Sequence, residues 1–263
     1  MHKQQQHRRL WLIVEIVCVA VFILAIASLI AKLTDSRERR AEEQASTQAF
    51  EAYSEMLEAE PSADPIAAPS PEDPPRPAPE AQALLAQNPD FVGMVGFEDM
   101  SLYVCQGEDN FYYASHRFDG TEHPAGMIFM DCRNNLWPLD DNTILYGHNM
   151  RDGSRFGKLG RYTDAEYLAQ NGVFRFASLY ELHEYAPIAI FYTSVDSGNP
   201  DYFNFAQTNF ADEAAFDAYI REVSARSIHP LPADVHFGDR LLTLATCSEA
   251  YDGGRLVIVC REA

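Results

Sequence analysis

Residues Arg240–Cys260 read RLLTLATCSEAYDGGRLVIVC. Two apolar runs, Arg240–Ala245 and Leu256–Cys260, flank Ser248–Gly254, whose Ser, Asp and Gly content marks a loop. A strand–loop–strand of this length predicts a hairpin that brings Arg255 close to Cys247 across the ladder. Similar short runs, rich in Val, Ile, Phe and Tyr, recur upstream at Phe91–Phe97, Ser101–Val104, Gly126–Met130, Thr143–Tyr146, Gly172–Ala177 and Glu184–Tyr192. Eight such strands between turn signals predict a mainly β domain, a barrel or sandwich. Two helices interrupt them. Ala81–Gln87 is short and stopped by Asn88-Pro89. Phe210–Arg226 carries Phe216, Tyr219, Ile220 and Val223 on one face, with Asn209 or Asp212 as its cap and Pro230 and Pro232 beyond its end.

The N-terminal third is different in kind. Leu10–Leu33 is 24 residues with only Glu15 and Lys32 charged. As a helix it reaches about 36 Å, enough for a hydrocarbon core of about 30 Å. Ala25-Ile26-Ala27 has the small residues of a signal-peptide cleavage site, but the apolar stretch continues to Leu33, which favours an uncleaved anchor. Lys3, Arg8 and Arg9 before the span are matched by Lys32, Arg37, Arg39 and Arg40 after it, so charge alone leaves the orientation open. Residues 34–80 then read as a stalk. Its first part is polar, with a helix start expected around Asp35, Ser36 and Glu38; its second, Pro61–Glu80, has eight prolines in twenty residues and cannot form a packed core. The globular part is expected from Ala81 to Ala263 and to fold without the stalk. A net charge of −19 argues against a nucleic-acid partner.

Two residues at strand-to-loop junctions carry candidate chemistry. Cys247 leaves the run Leu241–Thr246, a setting in which a rigid element presents a partly exposed thiol as a nucleophile. His148 follows Thr143–Tyr146 in the same way and is the candidate acid/base partner. Arg255, brought near Cys247 by the hairpin, can stabilise an oxyanion or hold a peptide carbonyl. His116, His123, His183, His229 and His236 lack such a setting and read as surface or packing residues. Cys105, Cys132 and Cys260 lie in or beside apolar runs and read as buried thiols, with a disulfide among them left open. No Cys-x-x-Cys pair points to a structural zinc site.

Taken together, these motifs resemble a known family. Thr243-Leu244-Ala245-Thr246-Cys247 resembles the TLxTC signature of sortases, the cysteine transpeptidases of Gram-positive cell surfaces. The eight-residue step to Arg255 is similar to theirs, as is Asn142–Met150 around His148, followed by Asp152-Gly153 and Phe156–Leu159. Asn88–Gly93, Gln106–Tyr113 and the long late helix resemble class B members in particular. One departure is visible: class B members often carry Ser at the middle of TLxTC, and here it is Ala245, so any hydrogen bond of that hydroxyl is missing or replaced.

The resemblance spans residues 81–261 and implies a closed β-barrel of about eight strands, with an N-terminal helix and one longer helix between late strands. It implies Cys247 as nucleophile, His148 as general acid/base and Arg255 as oxyanion or substrate support, with no metal or organic cofactor. The implied reaction cleaves a C-terminal sorting motif of secreted proteins after Thr and transfers the acyl group to an amine of a peptidoglycan precursor or a pilin. It also implies residues 1–9 in the cytoplasm, 10–33 in the membrane and the domain outside. Other readings fit less well. A papain-like peptidase carries its cysteine on a helix near the domain start, and an L,D-transpeptidase uses an SxGC-type segment. A non-catalytic binding barrel on a stalk would not call for Cys247, His148 and Arg255 together.

Overall fold

Runs that are apolar at every position, rather than at every second one, belong to strands covered on both faces. That is the condition of β7 (Leu241–Cys247) and β8 (Gly254–Glu262) in the computed structural model, which describes residues 2–58, 74, 76–77, 79–232, 234–248 and 253–263, with side chains from Trp11 onward. Leu242, Leu244, Leu256 and Ile258 point into one hydrophobic cluster with Val95, Leu102, Phe174 and Phe176. Leu241, Ala245, Val257 and Val259 point the other way, into a second cluster with Ile144, Phe191 and Phe216. The remaining strands are β1 (Phe91–Phe97), β2 (Met100–Cys105), β3 (Ile128–Met130), β4 (Asn142–Gly147), β5 (Phe174–Ser178) and β6 (Leu182–Ser194). All eight close into one barrel in the order β1-β2-β3-β4-β7-β8-β6-β5. The barrel interior takes the first cluster. The ladders β2–β3 and β4–β7 are parallel.

Helix α4 (Glu213–Arg226) covers the second cluster with Phe216, Tyr219, Ile220 and Val223, the face expected from the sequence. Of its two candidate caps, Asp212 serves, accepting the Ala215 N–H at 2.9 Å. The early helix, α2, covers Pro79–Leu85. A further helix, α3 (Ala165–Asn171), was not expected; Asp164 caps it through the Tyr167 N–H.

The N-terminal region departs most from the sequence reading. One helix, α1 (His2–Glu58), runs without a new start at Asp35, Ser36 or Glu38. The chain divides into two compact units, Met1–Glu42 and Glu43–Ala263, so the second begins well before the expected Ala81. Ser46, Phe50 and Tyr53 fall on one helical face. Phe50 and Tyr53 are 0% and 1% exposed, packed with Phe91, Met94, Ala177 and Leu179. The Ser46 hydroxyl donates to the Ser101 carbonyl and the Tyr53 hydroxyl to the Ser178 carbonyl. Gly96 leaves room for this: a Cβ there would sit 3.1 Å from the Phe50 ring. Most of the proline-rich stretch lies outside the described residues. In the first unit, the side chains Trp11–Leu33 are exposed, and α1 is the one helix among the described residues long and apolar enough to cross a membrane.

Truncating a fully buried Phe costs about 3–5 kcal/mol. Phe50→Ala is therefore expected to lower the melting temperature by about 10 °C, at about 2–4 °C per kcal/mol for a domain of this size. A chain starting at Ala81 should melt lower still than one starting at Glu43. Equal melting curves for the two would show that the 43–58 segment contributes nothing to the fold.

Candidate active site

Two ladders bring three side chains to one edge of the barrel. In the parallel β4–β7 ladder Gly147 lies opposite Thr246, so the next residues, His148 and Cys247, leave side by side. In the antiparallel β7–β8 ladder Cys247 lies directly opposite Arg255, as the hairpin expectation requires. Direct partners in such a ladder have Cβ atoms about 5 Å apart. The hairpin tip, residues 249–252, lies outside the described residues. Gly147 is needed where it is: a Cβ would meet the Ile128 Cδ1 at 2.4 Å and the Phe156 ring at 2.9 Å.

Cys247 is exposed, whereas the six β7 residues before it are buried. Nε2 of His148 lies 2.7 Å from the Ala114 carbonyl. A carbonyl only accepts, so Nε2 carries a hydrogen and Nδ1 is the nitrogen that titrates. Hydrogen bonding with His148 holds the Cys247 thiol below its ordinary pKa; burial opposes this and the Arg255 charge adds to it. In turn, hydrogen bonding with Cys247 raises His148, against burial and with help from the Ala114 carbonyl. Each charged form favours the other, which is the condition for a thiolate–imidazolium pair.

The sign of these shifts makes a prediction. Alkylation by iodoacetamide is a thiolate reaction, so it persists above the lowered thiol pKa and is lost as pH falls through it. The midpoint for Cys247 should lie below that of a free thiol, about 8.5. It should move up in His148→Ala. An unchanged midpoint in that variant would break the coupling.

The loop bearing His148 is tightly tied. The His148 carbonyl accepts from the Met150 and Phe156 N–H groups, each at 3.1 Å. Asn149 Nδ2 donates to the Cys247 carbonyl at 3.0 Å. Arg155, at φ 54°, donates its N–H to Glu43 of α1 at 3.0 Å. From Cys247 extends a groove of about 420 Å³ whose lining includes Asn110, Phe129, Tyr146, Ala206 and Ala245. A larger cleft of about 550 Å³ lies at Glu98, Asp99, Lys158 and Arg161. Its charges already pair with one another, Lys158 with Asp99 at 2.7 Å, and it holds no nucleophile. Among the described residues, no three His, Cys, Asp or Glu side chains are placed to hold a metal ion. Cys105 and Cys260 are buried, but Cys132 is exposed, contrary to expectation: it lies in the turn after β3, with its N–H taken by Asn110 Oδ1 at 2.8 Å. The five cysteines form no disulfide.

No family model matches the chain. Curated proteins do: 183 residues align at 34% identity with Sortase B of Listeria monocytogenes, covering 68% of this chain and 72% of that protein. The chain belongs to the class B sortases. Sortase B of Staphylococcus aureus aligns at 29% identity over 187 residues, covering 70% of this sortase and 74% of the relative. Among solved structures, sortase B from Bacillus anthracis in complex with AAEK1 superposes with a TM-score of 0.69 at 26% identity, over 88% of this chain and 99% of that one. The Staphylococcus aureus sortase B–substrate complex gives a TM-score of 0.72 at 24% identity, over 88% and 98%, a likeness of fold. This sortase is accordingly a cysteine transpeptidase with a closed eight-stranded barrel.

Proposed function

We propose that Cys247 is the nucleophile, His148 the general acid/base and Arg255 the oxyanion or substrate-backbone support. The observation that carries this is the pairing of Cys247 with Arg255 across one ladder and its adjacency to His148 across the other. The Cys247 thiolate attacks the carbonyl carbon of a Thr in a sorting motif. A C–S bond forms, the C–N bond breaks, and the His148 imidazolium gives its proton to the leaving amine. An amine of a peptidoglycan precursor or a pilin then attacks the thioester. His148 takes that amine's proton, and the thiolate leaves. Arg255 donates hydrogen bonds to the oxygen that becomes negative in both tetrahedral states. The groove leading from Cys247 holds the motif, as the substrate complex of the Staphylococcus aureus relative encourages. Leu10–Leu33 anchors the enzyme, with residues 1–9 in the cytoplasm and the barrel outside, where secreted proteins held at the membrane meet it.

The test is a library of quenched-fluorescent pentapeptides with Thr before the scissile bond, offered to the full chain in detergent. Cleavage of a subset is expected, with hydroxylamine trapping the thioester as a threonine hydroxamate. Cleavage that survives replacement of Cys247, or no cleavage of any peptide, would overturn the reading.

A further inference from the structure

The segment Asp131-Cys132-Arg133 follows β3 and is hydrogen-bonded to three residues that line the groove. The Asp131 side chain is 0% exposed, yet its carboxylate is fully engaged. Oδ1 accepts from the Arg133 N–H at 3.0 Å and Nε at 2.8 Å; Oδ2 accepts from Arg133 NH2 at 2.7 Å and from the Tyr146 hydroxyl at 2.9 Å. Arg133 NH2 also donates to the Ala206 carbonyl at 3.0 Å. On the other side the Cys132 N–H donates to Asn110 Oδ1 at 2.8 Å. One tripeptide thus holds three residues of the groove lining, Tyr146, Ala206 and Asn110. Among the described residues, no hydrogen bond of Asp131 or Arg133 runs to Cys247, His148 or Arg255.

We infer that Asp131, acting through Arg133 and Tyr146, is a positioning residue that fixes the width of the groove and so governs peptide binding and selectivity. This rests on the groove being the peptide site. A buried carboxylate is worth keeping only with its partners in place, and here one partner, Tyr146, lines the groove and the other, Arg133, holds groove-lining Ala206. The planar fork of Arg133 matters as well as its charge, because the same NH2 group bridges Asp131 and Ala206. Removing the bridge frees Ala206 without touching the thiol.

Asp131→Ala would strand Arg133 and the Tyr146 hydroxyl and could compromise folding, so the working variants are Arg133→Ala, Arg133→Lys and Tyr146→Phe. The Arg133 side chain is 56% exposed, and after its truncation the Asp131 carboxylate still accepts from the residue 133 N–H and the Tyr146 hydroxyl. With the pentapeptide best cleaved in the library, full-length Arg133→Ala should raise KM about tenfold, and kcat should change less than about threefold. Iodoacetamide alkylation of Cys247 should keep its rate and midpoint. Arg133→Lys keeps the charge but not the bridge, so its KM should stay raised; Tyr146→Phe should raise KM as well. The library profile of Arg133→Ala should broaden. An unchanged KM in Arg133→Ala, a KM restored by Arg133→Lys, or a slowed alkylation would each overturn the inference. If Cys247→Ala retained cleavage, the reading of the site itself would fail instead; inactive Cys247→Ala with an unchanged KM in Arg133→Ala sinks only the inference.

Discussion

Cys247→Ala is expected to abolish turnover, by about 10⁴-fold or more as for other lost nucleophiles, while peptide binding and the melting temperature stay close to those of the unmodified chain. Cys247 is exposed at the last position of β7, so the variant removes one sulfur from a site with little packing to lose. No other thiol of the Glu43–Ala263 unit can stand in for it. Cys105 and Cys260 are buried, and burial pushes the Cys260 thiol well up. Cys132 is exposed, but it follows β3 and no hydrogen bond links it to His148. Peptide binding can be followed by fluorescence anisotropy alongside cleavage. An alanine variant that still forms the hydroxamate would require a different nucleophile.

Arg255 should be nearly as sensitive, and to shape as well as charge. Losing one oxyanion donor typically costs about 10²–10³ in kcat. Arg255→Ala is expected to fall in that range, and Arg255→Lys to lose at least about tenfold, because lysine keeps the charge without the planar donors. Arg255 NH1 already donates to the Gly254 carbonyl at 3.0 Å, which steadies the guanidinium beside the cysteine. Its charge also helps to lower the Cys247 thiol, so the alkylation midpoint should rise in Arg255→Ala. Arg261 is the control. It sits on β8 opposite Leu241, six residues and about 20 Å farther along the strand. Arg261→Ala should retain activity. Equal kcat values for the two alanine variants would end the proposed role of Arg255.

How much of this was readable in the chain differs by element. Each of the eight expected runs overlaps an observed strand, because apolar β-branched residues buried on both faces leave an unambiguous local signal. The meeting of Cys247, His148 and Arg255 at one edge was readable because each stands at a junction where a strand meets a loop. The 43–58 segment was not. Its buried residues are only Ser46, Phe50, Tyr53 and Ser54, set among Glu, Gln and Ala, and composition reads such a stretch as solvated. The short α3 was lost for a similar reason, since one capping Asp164 and one buried Leu168 make a weak pattern. The Asp131–Arg133 hub could not be found from spacing, because Tyr146, Ala206 and Asn110 meet its three residues only after the barrel closes.

The position of β8 in the barrel has a kinetic side. It is the last strand in sequence, yet it lies between β7 and β6. Until it inserts, the sheet is open, and Cys247 lacks the Arg255 cation that helps to lower its pKa. His148 and Cys247 meet across a parallel ladder between strands far apart in sequence, the kind of contact that forms late. A chain in which β8 has not yet inserted therefore carries a thiol closer to its ordinary pKa. If Cys247 is the nucleophile as proposed, its low pKa arrives only with the completed barrel, and the unfinished chain is less open to the oxidation that a low-pKa cysteine invites.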